Sequence, residues 1–291
     1  GVVDADKMLT AITPNTALVG CMYVQNEIGV IQPIAEIGRA IQEIKKMSSS
    51  RRKPKRSDIG DPENPDMDSQ SGAHSLPVEN DNVGYPVFHV DAVQAFPYLN
   101  SHIDHMNCDS VTFSGHKYGA LGGTGVLIIR HGTPWQSVIK GGSQQWGKRA
   151  GTENILGALT LAATLEYGDA HREELTVHGA GFQKLLEREL ARRLPDIQIL
   201  AKNEPRSPHI SYLWLHEVGD EHIVHKLDLA GFAVSSGSAC SSGAQLPSNT
   251  LLAMDYSPKE AYGGLRVSFG RFTTPHDIEL FVDALEDIIN K

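Results

Sequence analysis

Cysteine is scarce in this chain: Cys21, Cys108 and Cys240 are the only three among 291 residues. They lie far apart with no Cys-x-x-Cys pair, which excludes a disulfide framework and a paired-thiol zinc site and fits a reducing, cytoplasmic setting. No apolar run approaches the ~18 residues that a membrane span requires, so no membrane association is expected. An excess of base is missing too: 26 Lys and Arg stand against 35 Asp and Glu, a formal charge of −9. That balance argues against direct binding of nucleic acid through its phosphates. Aromatic residues make up 7% of the chain, and neither they nor the methionines form a stripe of the kind that lines a cofactor box. The sequence opens at Gly1 without an initiating Met or a charged-then-apolar leader, so no targeting signal is visible, and a piece of something longer is expected. What is present, 40% hydrophobic residues over this length, suffices for one large or two moderate domains.

The apolar run Ala17 to Val24 has strand length and the near-continuous character of a sheet covered on both faces. A polar turn follows at Asn26 to Gly29. Ile34, Ile37, Ile41 and Ile44 then recur at helical spacing behind Pro33, a helix-start residue. Val87 to Val90 predicts a strand ending at Asp91, and Ser110 to Phe113 and Val126 to Ile129 predict two more, separated by a Gly-rich turn. Strand, helix, strand in this order predicts an α/β fold with a mostly parallel sheet. Beyond it, helices are expected at Asn154 to Tyr167 and Glu173 to Leu194, and strands at Ile197 to Leu200 and Ile210 to Leu215. A helix at Glu221 to Leu229, short strands at Ala233 to Ser235 and Leu265 to Phe269, and an amphipathic helix at Asp277 to Ile289 complete a smaller α+β part. The domains are therefore expected at 1–168 and 169–291. The stretch 47–85, with Pro54, Pro62, Pro65 and Pro77 and few large apolar residues, is expected to be a disordered insertion. Its basic beginning, Lys45 to Arg56, and its acidic remainder read as a solvated, self-neutralising loop, with a docking patch as the rarer possibility.

Chemistry concentrates at strand ends. Lys117 follows the SVTF strand within Ser114-Gly115-His116-Lys117 and precedes a Gly-rich turn, the position where open α/β sheets bind ligands. A lysine there is either an ordinary surface residue or a Schiff-base amine made nucleophilic by a dry pocket. Asp91 favours the second, because a carboxylate ending the apolar strand FHVDAVQ needs a cationic partner, and a protonated pyridine nitrogen is one. Asp91, Gln94, His116 and Lys117 are thus expected in one pocket. His102, His105 and Cys108 have ligand-type side chains three apart but no fourth ligand nearby, so no metal is expected. Cys21 reads as a small buried hydrophobe.

VQNEIG at 24–29, FHVDAVQ at 88–94, SGHK at 114–117, RAGTEN at 149–154, SSGSACSSG at 235–243 and LRVSFGRFTT at 265–274 resemble, in order and spacing, the cysteine desulfurases. These are class-V-aminotransferase-like enzymes of fold type I that depend on pyridoxal 5'-phosphate (PLP). The resemblance implies that Lys117 carries PLP as a Schiff base, Asp91 keeps the ring nitrogen protonated, and Gln94 bonds the ring hydroxyl. It implies that Ser114 and His116 hold the phosphate, with Thr152 reaching the site of a partner subunit in a homodimer. Asn26, counted with both cofactor and substrate, and Arg266 would grip the carboxylate of L-cysteine. Lys117, Cys240 and His116 are the catalytic candidates, with Cys240 taking the substrate sulfur as a persulfide for an acceptor such as an iron–sulfur scaffold protein or a tRNA-thiolation carrier. Selenocysteine lyase shares these motifs, and a shortened, non-catalytic relative that binds partners is the further alternative. The family's N-terminal stretch, with a Thr-containing phosphate turn and a His stacking on the cofactor ring, has no counterpart in these residues. YGALGG and GGSQQW stand where the family shows YGPKG and GGGQER.

Overall fold

The computed structural model describes residues 1–51, 85–215, 220–237 and 247–290. Its first sheet has the order β1 (Leu18–Met22), β2 (Val87–Asp91), β3 (Ser110–Ser114), β4 (Gly125–Ile129). The first three strands are parallel, with Met22 level with Asp91 and Asp91 level with Thr112, and β4 runs antiparallel to β3. The sheet is therefore mixed and mostly parallel. Since β1, β2 and β3 point the same way, the turns that follow them gather at one edge.

Helix α1 (Ala5–Thr10) is capped by Asp4, and α2 (Ile34–Arg51) lies against the sheet. The isoleucine spacing read from the sequence gives the contact: Ile34, Ile37 and Ile41 are fully buried with Phe88, Val90 and Val111. Each such side chain contributes about 1.5–3 kcal/mol by leaving water. Helix α2 continues to Arg51, into the stretch 47–85 expected as a disordered insertion; residues 52–84 of that stretch lie outside the described residues. Lys45, expected in a solvated basic loop, is instead buried against Asp109, which also accepts from the Phe88 amide at 2.6 Å. A lysine inside a helical face that meets a strand-end carboxylate is a tertiary event that local charge does not reveal.

The outer face of the sheet differs from expectation as well. The run at Ala17 to Val24 suggested a strand covered on both faces, yet Leu18 and Met22 are 60% and 39% exposed, while Val19 faces the core.

A short helix α3 (Ile103–Met106) precedes β3. Helix α4 (Ile155–Ala170), capped by the Asn154 side chain accepting from the Gly157 amide at 3.0 Å, leads through His171 into α5 (Arg172–Arg193). The expected domain break at 168/169 falls inside the last turn of α4. The second sheet is antiparallel, β5 (Gln198–Ile199), β6 (Ile210–Trp214) and β7 (Gly264–Ser268), with β6 central. Residues 233–235, expected as a strand, contribute a single bridge from Ser235 to Arg266. Helices α5, α6 (Asp220–Leu229) and α8 (Pro275–Ile289) bury Leu186, Leu190, Leu227, Val282 and Leu285 with Leu213 on one face of this sheet. On its other face Tyr212 and Trp214 meet Ile28, Val30 and Leu251 of α7 (Asn249–Ala253), joining the two sheets through a third apolar cluster. Thr274 and Asp277 form a capping box ahead of α8, with Pro275 in its first turn.

Candidate active site

Three turns form the floor. After β1, the Gln25 side chain folds over its own turn, its Oε1 accepting from the amides of Glu27 and Ile28 at 2.7 and 2.8 Å. Gly29 closes the turn at φ +73°, with Ile210 Cβ 2.9 Å from where a Cβ would stand. Only glycine meets both demands without strain. This turn exposes the peptide carbonyl of Asn26, which accepts from Arg266 Nη1 at 2.7 Å, so the candidate pair Asn26 and Arg266 is brought together across the two sheets. Glu27, buried beside it, accepts from Ser248 Oγ at 2.6 Å and Thr250 Oγ1 at 2.9 Å, which ties the turn to α7.

After β2, Asp91 is part-buried and its Oδ1 accepts from the Val93 amide at 2.9 Å. Its neighbour on the strand, His89, shares Ser110 Oγ at 2.9 Å; burial lowers its pKa and the Asp91 charge opposes that shift. Gln94, three residues further, has its Oε1 3.2 Å from His209 Nε2, and its amide NH2 has no protein partner among the described residues.

After β3, Gly115, His116 and Lys117 form one tight helical turn. Gly115 allows it, because a Cβ there would stand 2.3 Å from Thr124 Oγ1. Ser114 Oγ and His116 Nδ1 are 3.0 Å apart, and the Lys117 side chain is exposed with no ion-pair partner among the described residues. Tyr118 locks this turn to the previous one: its hydroxyl donates to the Val93 carbonyl at 3.1 Å and its ring meets Phe96 edge-on at 4.9 Å. Burial pushes its phenol well above the usual range.

Asp91, Gln94, Ser114, His116 and Lys117 thus share one edge of the first sheet, and Asn26 and Arg266 meet at the joint with the second. Thr152 is exposed ahead of α4 and makes no hydrogen bond to the others among the described residues. Cys240, the expected sulfur acceptor, lies outside the described residues. The other thiols stand apart from this chemistry: burial pushes Cys21 up to about 11 and Cys108 up to about 12. Among the described residues, no group of three His, Cys, Asp or Glu gathers as a metal site, and no helix is long and apolar enough to cross a membrane.

Two groups carry no signal in the sequence. Tyr118 hides behind the SGHK motif that it braces. His209 precedes β6 without any motif; its ring stacks on Tyr98 at 4.2 Å and 8°, and its Nδ1 is 2.7 Å from Ser207 Oγ. Only the tertiary fold brings it to Gln94, 115 positions earlier.

The donor set suits PLP. A carboxylate suits the role of ring-nitrogen partner, an amide NH2 without a protein partner among the described residues that of ring-oxygen donor, a hydroxyl and imidazole those of phosphate ligands, and an exposed amine that of aldehyde partner.

An α/β unit with a mixed, mostly parallel sheet and candidate site residues at the strand ends, joined to a smaller antiparallel unit, is the architecture of fold type I PLP enzymes. A NifS-like protein from Rickettsia africae has the same fold, with a TM-score of 0.79 and 25% identity over 100% of this chain and 68% of that one. The family profile for class-V aminotransferases matches residues 1–48 and 82–281, and the chain belongs to that family, whose cofactor is PLP. It is similar to the cysteine desulfurase IscS of Dictyoglomus turgidum, 30% identical over all of this chain and 64% of the relative, and to a cysteine desulfurase of Nostoc sp., 31% identical over all of this chain and 63% of the relative. The chain therefore spans less than two thirds of the length of these curated relatives.

Proposed function

We propose that this chain carries the PLP and substrate site of a cysteine desulfurase, which converts L-cysteine to L-alanine and leaves the sulfur on Cys240. The observation that carries this reading is the convergence of Asp91 and Lys117 at the carboxyl ends of adjacent parallel strands, β2 and β3. Lys117 Nζ would bind the cofactor aldehyde, Asp91 would hold a proton on the ring nitrogen, and Ser114 with His116 would grip the phosphate. When bound, PLP supplies an electron sink for negative charge developing next to the substrate's amino carbon. Arg266 and Asn26 would orient the substrate carboxylate, a task suited to a guanidinium fork. The Cys240 thiolate attacks the substrate sulfur: an S–S bond forms, the C–S bond breaks, and its electron pair stays with the β-carbon, which takes a proton to become the alanine methyl. The persulfide then passes to an acceptor, for which an iron–sulfur scaffold or a tRNA-thiolation carrier fits the reading. The large and small units divide near His171.

A homodimer in the cytoplasm completes the proposal. Supporting the dimer, Trp146, Ile155, Leu156 and Leu159 are 88%, 69%, 64% and 63% exposed around Thr152, apolar surface of the kind that marks an interaction face. The test is borohydride trapping of the purified chain with PLP, peptide mapping, and assay of alanine released from L-cysteine. A pyridoxyl group on Lys117, lost in Lys117→Ala, together with alanine release lost in Cys240→Ala, supports the proposal. Labelling elsewhere, or no label at all, refutes it for this chain.

A further inference from the structure

His209 lies where three parts of the molecule meet. Its peptide carbonyl accepts from the Phe269 amide at 2.9 Å, just beyond β7, which carries Arg266. Its ring lies flat on Tyr98, and its two nitrogens meet Gln94 Oε1 at 3.2 Å and Ser207 Oγ at 2.7 Å. Burial, with the Arg266 charge adding to it, pushes the imidazole down to about 3, so the ring is neutral at ordinary pH. A neutral imidazole has one N–H and one lone pair, and its two neighbours must therefore be served in opposite senses.

Either sense satisfies the imidazole by itself. They differ in what they leave at the far end of Gln94. If Nε2–H donates to the Gln94 oxygen, the amide NH2 is left as the end without a protein partner. In the other sense the oxygen is left, and it repels a ligand oxygen that carries negative charge.

We propose, resting on the PLP reading above, that His209 is a positioning residue for Gln94. The Ser207 hydroxyl donates to Nδ1, Nε2–H donates to Gln94 Oε1, and the Gln94 NH2 is thereby held as the donor for the cofactor's ring oxygen. The chain of bonds Ser207, His209, Gln94 has a fixed direction, and it connects the strand holding Arg266 to the turn after β2.

The polarity is tested without cofactor by long-range 1H–15N correlation on the 15N-labelled chain, with His209→Asn assigning the resonance. A neutral ring protonated at Nε2 between pH 6 and 8 is expected; a ring protonated at Nδ1, or a charged ring, overturns the proposal. The consequence is tested by PLP titration. His209→Phe keeps a flat ring on Tyr98 but loses the donor, and is expected to bind PLP about tenfold more weakly with a displaced absorption maximum. His209→Gln keeps a donor without the stack, and is expected within about threefold of the parent chain. A phenylalanine variant equal to the parent, or a glutamine variant as weak as the phenylalanine one, overturns the positioning role. If the parent chain takes up no PLP, the PLP reading falls and the link to the cofactor falls with it, whereas the NMR result still decides the bond direction.

Discussion

Strand β6 is buried at all five of its positions, whereas β1 alternates between a buried Val19 and exposed Leu18 and Met22. The two strands are similar in length and apolar content, so composition does not separate them; what packs on either side does. The second sheet has helices α5, α6 and α8 on one face and the inter-sheet cluster on the other. The first has α2 on one face and presents its second face, with His89, Asp91 and Thr112, beside exposed apolar side chains. The second sheet is thus covered on both faces, whereas the first leaves candidate site residues and apolar side chains on a face that its own helices do not cover.

This contrast can be broken most strongly at the ion pair beneath the first sheet. Asp109→Ala leaves the buried Lys45 ammonium and the Phe88 amide without their acceptor, and is expected to cost about 3–5 kcal/mol in urea denaturation. In the second unit, Leu285→Ala empties a fully buried position and is expected to cost about 3 kcal/mol; a loss below about 1 kcal/mol would show that this core carries less of the stability than its burial indicates. Acid provides a third probe. His209 is neutral when folded but takes up a proton near pH 6.5 when unfolded, so the unfolded state binds more protons and stability falls as pH drops from about 6.5 toward 3. The His209 share of the slope is expected to reach at most about 1.4 kcal/mol per pH unit, and to be lost in His209→Phe. Thr274→Ala removes the cap of α8 and is expected to cost about 1 kcal/mol, read as a lower urea midpoint at unchanged slope. The smallest effect belongs to the open face: Leu18→Ala is expected within about 0.5 kcal/mol of the parent, and a larger change would mean that the face is covered in solution.

What the sequence discloses follows the range of the forces involved. The isoleucines of α2, the strands ending at Asp91 and Ser114, and the glycine-bearing turns are set by neighbours a few residues away, and periodicity and motif order find them. The direction of β4 and the covering of β1 depend on how distant segments pack. Lys45 reads as a loop charge because its partner, Asp109, is 64 residues away. The same distance effect hides His209, whose ordinary local sequence, Ser-Pro-His, gives no hint of Gln94.

The bond from Arg266 to the Asn26 carbonyl bears on the thermodynamics of binding. A free arginine side chain loses up to about 2 kcal/mol of rotamer freedom when a ligand immobilises it. Here one guanidinium nitrogen is already held at 2.7 Å, so folding has removed part of that freedom in advance. A carboxylate arriving at this arginine would meet a preset geometry, and calorimetry would record a smaller entropic penalty than an untethered arginine imposes.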